Sequence, residues 1–135
     1  MKKVTIELTE NQLCQIREAC EFTSRFLAGQ IDSFSLLSAL QLSYRASNCD
    51  QAFFDLKKAL FPELRQGESY SINSSGQAGD EGIVRARQAL YDIYRTIYEF
   101  QVDQKKEAGE DVGHNVYCYK ASPVGEEPKP IIKLT

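Results

Sequence analysis

The chain has 135 residues, of which 42% are hydrophobic and 26% are charged, and its net charge is −3 at neutral pH. This length and composition predict one globular domain, residues 1–135, with a core that needs no metal or disulfide. The acidic balance and the scattered basic residues argue against a long nucleic acid as partner. No apolar run reaches the roughly 18 residues of a membrane span, so we expect no membrane partner and a cytoplasmic location.

The N-terminal half of the sequence predicts one short strand followed by helices. Residues 3–8 alternate apolar and polar side chains, which is typical of a strand. Thr9 and Gln12 match a capping box, and they predict a helix over residues 10–28 that ends before Gly29. Two more helical segments are predicted further along, the first at least in part: residues 31–46 and residues 50–61.

The C-terminal half predicts one long helix between irregular segments. Residues 63–82 are rich in glycine and serine, and within them residues 69–73 alternate like a short strand. A helix is predicted from Asp80 or Glu81 to about residue 106. Two last short strands are predicted over residues 115–120 and 131–135. We therefore predict an α+β fold, a mainly helical single domain with a long helix in the C-terminal half and a small antiparallel β-sheet.

The long helix carries two adjacent faces of side chains. At about 100° per residue, one face is aliphatic and is predicted to lie in the core, and it comprises Ile83, Ala86, Leu90, Ile93, Ile97 and Phe100. The second face holds Tyr91, Tyr94 and Tyr98 together with Arg87, and Arg95 lies at its border. Three interpretations of this second face are open: tyrosines at the edge of the core, a homo-oligomer interface, or a surface that stacks a base and binds phosphate.

The sequence carries no motif of a common enzyme class. It lacks the glycine-rich dinucleotide motif, the P-loop and the G-x-S-x-G motif of hydrolases. Its four cysteines have no C-x-x-C spacing and His114 is the only histidine, so we predict neither a metal site nor catalytic residues. The carboxylate pairs lie in polar segments, where their pKa values are not expected to shift. A binding protein without a cofactor is therefore favoured over an enzyme.

Three segments and a C-terminal one, in this order along the chain, carry a resemblance to a known protein family. The first is VTIELTENQLCQIREACEFTSRFLAGQ, residues 4–30. The second is ALFPEL, residues 59–64, followed closely by SYSIN, residues 69–73. The third is ALYDIYRTIYEF, residues 89–100, and a segment that ends in EPKPII, residues 127–132, completes the pattern. Together they resemble the phage Thoeris anti-defence proteins, although the basic run that often ends the family's last motif is here Tyr98-Glu-Phe100.

The resemblance implies a phage protein that acts in the cytoplasm of the infected bacterial host. Members of that family include sponges that bind a cyclic ADP-ribose signal made by a TIR-domain enzyme of the Thoeris defence and do not cleave it. The downstream NADase effector then stays silent. Family members are homo-oligomers built from dimers, with ligand pockets at the subunit interface. We therefore expect a cyclic ADP-ribose isomer or a related cyclic nucleotide as ligand, and a homo-oligomer.

The candidate ligand-binding residues combine aromatic rings, arginines and one amide. Arg25 can reach a phosphate, or it is a solvated arginine near a helix C-terminus, where the helix dipole favours a positive charge. Tyr70 and Ile72 either share one side of a strand or pack in the core. Asn73 suits a base edge, a ribose or a turn. The full predicted set is Phe22, Arg25, Tyr70, Ile72, Asn73, Arg87, Tyr91, Arg95 and Tyr98.

The competing hypothesis is a protein-binding module. In that case a phage inhibitor would block a host or defence protein directly, and the face formed by Tyr91, Tyr94 and Tyr98 would be its contact surface.

Overall fold

The computed structural model describes residues 1–33, 49–71, 81–113 and 119–135. In this part of the chain the regular structure is three α-helices: α1 (Glu10–Leu27), α2 (Asp50–Leu60) and α3 (Glu81–Glu107). The predicted bounds of these helices agree to within one or two residues. The helix predicted over residues 31–46 begins as a turn at residues 31–33, and the rest of it lies outside the described residues. None of the described helices has the length and apolar character that crossing a membrane requires.

Local sequence signals set both ends of α1. The backbone amide of Gln12 donates to Thr9 Oγ1 at 3.2 Å, and the amide of Thr9 donates to Gln12 Oε1 at 2.9 Å. The predicted capping box is therefore confirmed. At the other end Gly29 has a φ of 92°, and the amide of Gln30 donates to the carbonyl of Arg25 at 3.0 Å. This is a Schellman motif, which turns the chain out of the helix.

Helices α1 and α3 pack against each other and run in opposite directions. Arg17 Nη1 donates to Gln101 Oε1 at 2.6 Å, and Gln101 Nε2 donates to Cys14 Sγ at 3.2 Å. Further along α1, Glu21 interacts with Tyr94. Residue numbers thus rise along α1 as they fall along α3, and the end of α1 lies beside the first half of α3.

The predicted β-sheet is wrong for the part of the chain that the structure describes, because no β-strand forms there. Residues 3–8 and 131–135 are irregular. So are residues 69–71 and 119–120, the described ends of the other two predicted strands. Alternation indicates which side chains share a face, but a strand forms only where a second backbone pairs with it. The mainly helical character is confirmed, whereas the α+β class is contradicted.

The buried surface of α3 extends beyond the predicted aliphatic face. Ile97 is 3% exposed, as predicted, but Ile83 is 38% exposed and Ala86 is exposed too. The buried residues of the helix are mostly polar: Arg87, Gln88, Asp92, Thr96, Ile97 and Val102. Asp92 lies about half way round the helix from Gln101, which contacts α1. A second segment of the chain covers that opposite side.

This second segment is the C-terminal one, and Asp92 binds its backbone. Asp92 is 5% exposed, and its carboxylate accepts hydrogen bonds from the amides of Val124 and Gly125, both at 2.9 Å. The backbone approaches so closely that a Cβ on Gly125 would lie 3.2 Å from Asp92 Oδ2 and 3.4 Å from Gln88 Cβ. Two backbone amides therefore satisfy a buried carboxylate on the polar side of α3.

Glu99 extends the same attachment toward the end of α3. Its carboxylate accepts from the amide of Ala121 at 2.8 Å and from Lys129 Nζ at 2.6 Å. Burial by itself would raise the pKa of Glu99, but the hydrogen bonds from Lys129 and Ala121 and the nearby lysine charges outweigh it and lower this pKa. The ionised form of Glu99 is therefore the one that holds the segment.

Asp103 provides the third attachment. It accepts from the hydroxyl of Tyr119 at 2.9 Å and from Lys120 Nζ at 3.2 Å. Burial opposes ionisation here too, but the hydrogen bonds from Tyr119 and Lys120 lower the pKa of Asp103. Lowered pKa values in the folded state mean that stability is gained above the pKa values of the unfolded chain, about 4, and is lost as the pH falls through the lower folded values.

We therefore predict that acid weakens the attachment of the C-terminal segment. Glu99→Gln should lower the melting temperature at pH 6 by about 4 °C, because it removes the charge from two hydrogen bonds that together contribute about 1 kcal/mol. Scanning calorimetry from pH 6 to 3 should show this difference narrowing below about pH 5. Glu126→Gln, an exposed change in the same segment, is the control and should follow the wild type. A constant difference across the pH range would contradict the prediction.

Candidate functional site

The first half of α3 buries a guanidinium group. Arg87 is 1% exposed, and its Cζ lies 5.1 Å from the centre of the Tyr70 ring. Its Nε and Nη2 atoms are buried and have no hydrogen-bond partner in the part of the chain that the structure describes. Burial lowers the pKa of Arg87, and Tyr70 acts in the opposite direction. An arginine still keeps its proton at neutral pH, so a positive charge is enclosed beside an aromatic ring.

The irregular segment over residues 61–71 holds Tyr70 above this charge, and α2 shapes it. Lys57 of α2 is 9% exposed, and its Nζ donates to the carbonyl of Gln66 at 2.8 Å and to that of Glu68. Lys57 thereby satisfies two carbonyl groups in a segment that has no regular backbone pairing. The predicted irregular segment is confirmed up to residue 71.

Tyr70 itself is attached to the end of α1. Its amide donates to the carbonyl of Ala28 at 2.8 Å, and its ring packs edge-on against Phe61 with 6.4 Å between the ring centres. These two contacts fix the backbone and one side of the ring. The ring is half-buried, and it also stacks on the Arg87 guanidinium, so Tyr70 lies between α1 and α3.

A carboxylate lies at the hydroxyl end of the Tyr70 side chain. The hydroxyl of Tyr70 donates a hydrogen bond to the carboxylate of Glu63. This bond is the main reason that the pKa of Tyr70 is raised and that the pKa of Glu63 is lowered. At neutral pH the phenol is therefore neutral and the carboxylate charged. Tyr70 offers Arg87 the electron-rich face of its ring but no counter-charge.

Arg25 lies beside the same segment but already has a carboxylate partner. Its Nε donates to Glu21 Oε1 at 3.1 Å and its Nη1 to Gln30 Oε1 at 3.3 Å. Gln30 Nε2 in turn donates to Ser69 Oγ at 3.4 Å, next to Tyr70. Arg25 therefore supports the junction between α1 and the segment over residues 61–71, and its charge is compensated within α1.

The tyrosines of α3 form a continuous row. The ring centres of Tyr91 and Tyr94 are 5.9 Å apart and those of Tyr94 and Tyr98 are 6.3 Å apart. Arg95 Cζ lies 5.5 Å from the centre of the Tyr98 ring. Burial, with a contribution from Glu21, raises the pKa of Tyr94. The middle ring thus lies at the contact between α1 and α3, and all three tyrosines are half-buried.

The structure brings only some of the predicted site residues together. Tyr70 contacts Arg87, while Tyr91, Arg95 and Tyr98 belong to the row along α3. Phe22 packs against Phe26 on α1, with 5.9 Å between the ring centres. Two predicted residues lie outside the described part of the chain: Ile72 and Asn73.

Two residues that position Tyr70 were missed in the sequence: Lys57 and Glu63. A signal for Lys57 exists, because Phe53, Lys57 and Phe61 follow one another at intervals of four residues and so share one side of a helix. A lysine between two phenylalanines on an apolar side indicates a buried amine that needs acceptors. Glu63 follows Pro62 in an irregular segment, and no periodicity identifies its partner.

Comparison of the chain with models of known protein families, with curated proteins and with solved structures finds no match. Among the described residues, no three His, Cys, Asp or Glu side chains lie close enough to hold a metal ion. Burial raises the pKa of the Cys20 thiol, which disfavours a reactive thiolate.

The close approach at Gly29 generates a stability prediction. A Cβ at Gly29 would lie 2.5 Å from Leu64 Cδ1, whereas Gly109, at a φ of 73°, has nothing within 4 Å. Both alanine substitutions impose a left-handed conformation that costs about 1–2 kcal/mol. We expect Gly29→Ala to cost up to about 1 kcal/mol more than Gly109→Ala, because the end of the Leu64 side chain must also move. Urea unfolding measures both, and a smaller loss for Gly29→Ala than for Gly109→Ala would contradict the prediction.

Proposed function

We propose that the protein binds and sequesters an anionic nucleotide of the cyclic ADP-ribose type without cleaving it, and that Arg87 holds a phosphate of this ligand. The observation that supports the proposal is the buried guanidinium whose Nε and Nη2 lack hydrogen-bond partners among the described residues. A buried charge without a counter-charge is strongly destabilising, and a buried donor without an acceptor calls for an unseen partner.

A phosphate group fits this site better than a neutral ligand does. Its oxygens accept two parallel N–H bonds from one guanidinium, and its charge compensates the buried arginine. Neutral water would satisfy the donors but would leave the charge uncompensated. The nucleotide also carries a flat base, and the Tyr70 ring next to Arg87 offers a face on which a base stacks.

Binding at Arg87 requires a neighbouring group to move, because the residue is 1% exposed. The half-buried Tyr70 ring lies on an irregular segment, and we expect it to shift as the phosphate arrives. The association rate should then fall below that of a preformed open site. Dissociation slows for the same reason, since the ligand is enclosed once the ring returns.

Sequestration needs affinity rather than chemistry. A sponge competes with the receptor of a signal, so its dissociation constant must be nanomolar, or about −12 kcal/mol. Compensation of a buried charge contributes about 3–5 kcal/mol to such affinity, and stacking of the base on Tyr70 adds to it. Together with the resemblance to Thoeris anti-defence proteins, this supports a phage protein that removes a TIR-made signal in the cytoplasm of the infected bacterium, acting as a homo-oligomer.

A direct inhibitor of a host or defence protein is the second candidate. The row of Tyr91, Tyr94 and Tyr98, with Arg95 stacked on Tyr98, supports it, since tyrosine and arginine are enriched at protein interfaces. In that case a partner captured from the host would remain bound after small molecules are removed. Tyr98→Ala would release the partner, and a change at Arg87 would not.

We predict that Arg87→Met separates ligand binding from folding. Without ligand, its melting temperature should equal or exceed that of the wild type, because the substitution removes a buried uncompensated charge and keeps an apolar stem. A cyclic ADP-ribose isomer at about 100 times its dissociation constant should stabilise the wild type by about 2.7 kcal/mol, or on the order of 10 °C. Thermal shift measurements should show no such effect in Arg87→Met.

The matched control is Arg85→Met, two residues earlier in α3. Arg85 is exposed and pairs with Glu81 at 3.0 Å, so this variant should bind like the wild type. ADP-ribose and pyrophosphate serve as linear and minimal anions for comparison. If Arg87→Met loses about 3–5 kcal/mol of stability without ligand, the guanidinium is structural. If no cyclic nucleotide shifts the wild type, the proposed function is wrong.

A further inference from the structure

The nine residues before α1 are exposed. Apolar and polar side chains alternate along them, and no described part of the chain covers the apolar ones. Val4 is 84% exposed, Ile6 71% and Leu8 41%. The segment ends sharply, because Thr9 caps α1. The segment is irregular in the single chain, but its three apolar side chains, at every second position, would share one face if a second backbone paired with it. A strand with a bare apolar face and unpaired backbone groups is a template for another strand.

The polar residues of this segment identify that other strand. The run Lys3-Val-Thr-Ile-Glu7 has a basic residue at one end, an acidic residue at the other and Thr5 in the middle. Read in opposite directions, two copies of this run complement each other at every position. We propose that residues 2–8 form an antiparallel β-ribbon with the same segment of a second copy of this chain, in the register that places Thr5 opposite Thr5.

This register assigns a favourable neighbour to each side chain. Lys3 faces Glu7 of the other copy, and the same pair recurs on the other side of the two-fold axis. Val4 faces Ile6 on the opposite face, and Thr5 faces its own copy, a cross-strand pair that favours sheets. Because odd and even positions lie on opposite faces, both ion pairs share one face and the apolar residues share the other.

Other arrangements of two copies are less favourable. A parallel, in-register pair would place Lys3 against Lys3 and Glu7 against Glu7, and like charges directly opposite each other are destabilising. Antiparallel registers shifted by two residues lose the contact between Lys3 and Glu7. The shift that brings residue 10 into the pairing would also break the capping box at Thr9. The register centred on Thr5 keeps both features.

A two-stranded ribbon alone is marginally stable in water. We therefore expect a dimer that dissociates on dilution and weakens as salt screens the two ion pairs. This self-association does not depend on Arg87, so it is separate from the proposed nucleotide site. Arg87→Met should dimerise like the wild type.

Charge reversal tests the register. In sedimentation velocity runs over a concentration series, Lys3→Glu alone and Glu7→Lys alone should each weaken the dimer at least about tenfold, because each variant opposes like charges at both ends of the ribbon. An equimolar mixture of the two variants should restore association, and so should the double variant Lys3→Glu/Glu7→Lys. Lys2→Glu is the control, since Lys2 lies on the other face opposite Leu8, and its effect should be smaller.

Cysteine crosslinking tests the two-fold axis. Thr5→Cys should form a disulfide-linked dimer on mild oxidation, because directly opposite residues have Cα atoms about 4.5–5.5 Å apart. The yield of linked dimer from Lys3→Cys should not exceed the wild-type background, since residue 3 of the second copy lies at the other end of the ribbon. A monomer at all concentrations, or a dimer unaffected by the charge variants, would overturn the proposal. The second result would assign association to another surface, such as the tyrosine row.

Discussion

The antiparallel packing of α1 on α3 is the contact on which the other described segments depend. It places the C-terminal end of α1 beside the first half of α3, where Arg87 lies. The Schellman motif at Gly29 turns the chain there, and the carbonyl of Ala28 receives the amide of Tyr70. Tyr70 therefore reaches the Arg87 guanidinium because both are positioned relative to α1. A shift of one helical turn between α1 and α3 would move the charge about 5 Å along the helix, away from the ring.

Two buried charged side chains, Arg87 and Asp92, lie on neighbouring turns of α3, and they differ in the partners that surround them. The carboxylate of Asp92 receives two backbone amides at 2.9 Å, and the close approach of Gly125 makes this possible. The guanidinium of Arg87 receives the face of a neutral ring, and two of its nitrogen atoms lack acceptors among the described residues. The same helix therefore shows that this fold can compensate a buried charge. Among the described residues the charge of Arg87 has no such compensation, and this contrast is the reason that we propose a ligand for it.

Local signals predicted the helices well, because caps, glycines and prolines act within a few residues of the ends they set. The capping box at Thr9 and the turn at Gly29 are examples. Strands depend on a distant backbone, so alternation alone placed a sheet where the described residues have none. Sequence reasoning missed the three acidic residues that attach the C-terminal segment to α3, namely Asp92, Glu99 and Asp103. Acidic side chains opposite an apolar helix face are expected to be exposed to solvent. Their spacing does put them within about 40° of one another, which is the signal of a shared contact. Of the site, sequence reasoning identified Arg87 and Tyr70 but not that they touch.

The proposed ribbon and the proposed nucleotide site make different demands on the molecule. In the register centred on Thr5, Thr9 of one copy lies opposite residue 1 of the other. The two α1 helices therefore start from opposite ends of the ribbon, about 27 Å apart at about 3.4 Å per residue. Arg87 and Tyr70 of one chain complete their contact without the second copy. Pairing of N-terminal segments would thus raise the number of sites per particle without changing any one site. The capacity of a sponge is set by its number of binding sites, because each site holds one ligand. In such an assembly each chain binds its own ligand, and the intrinsic affinity of each site is unchanged.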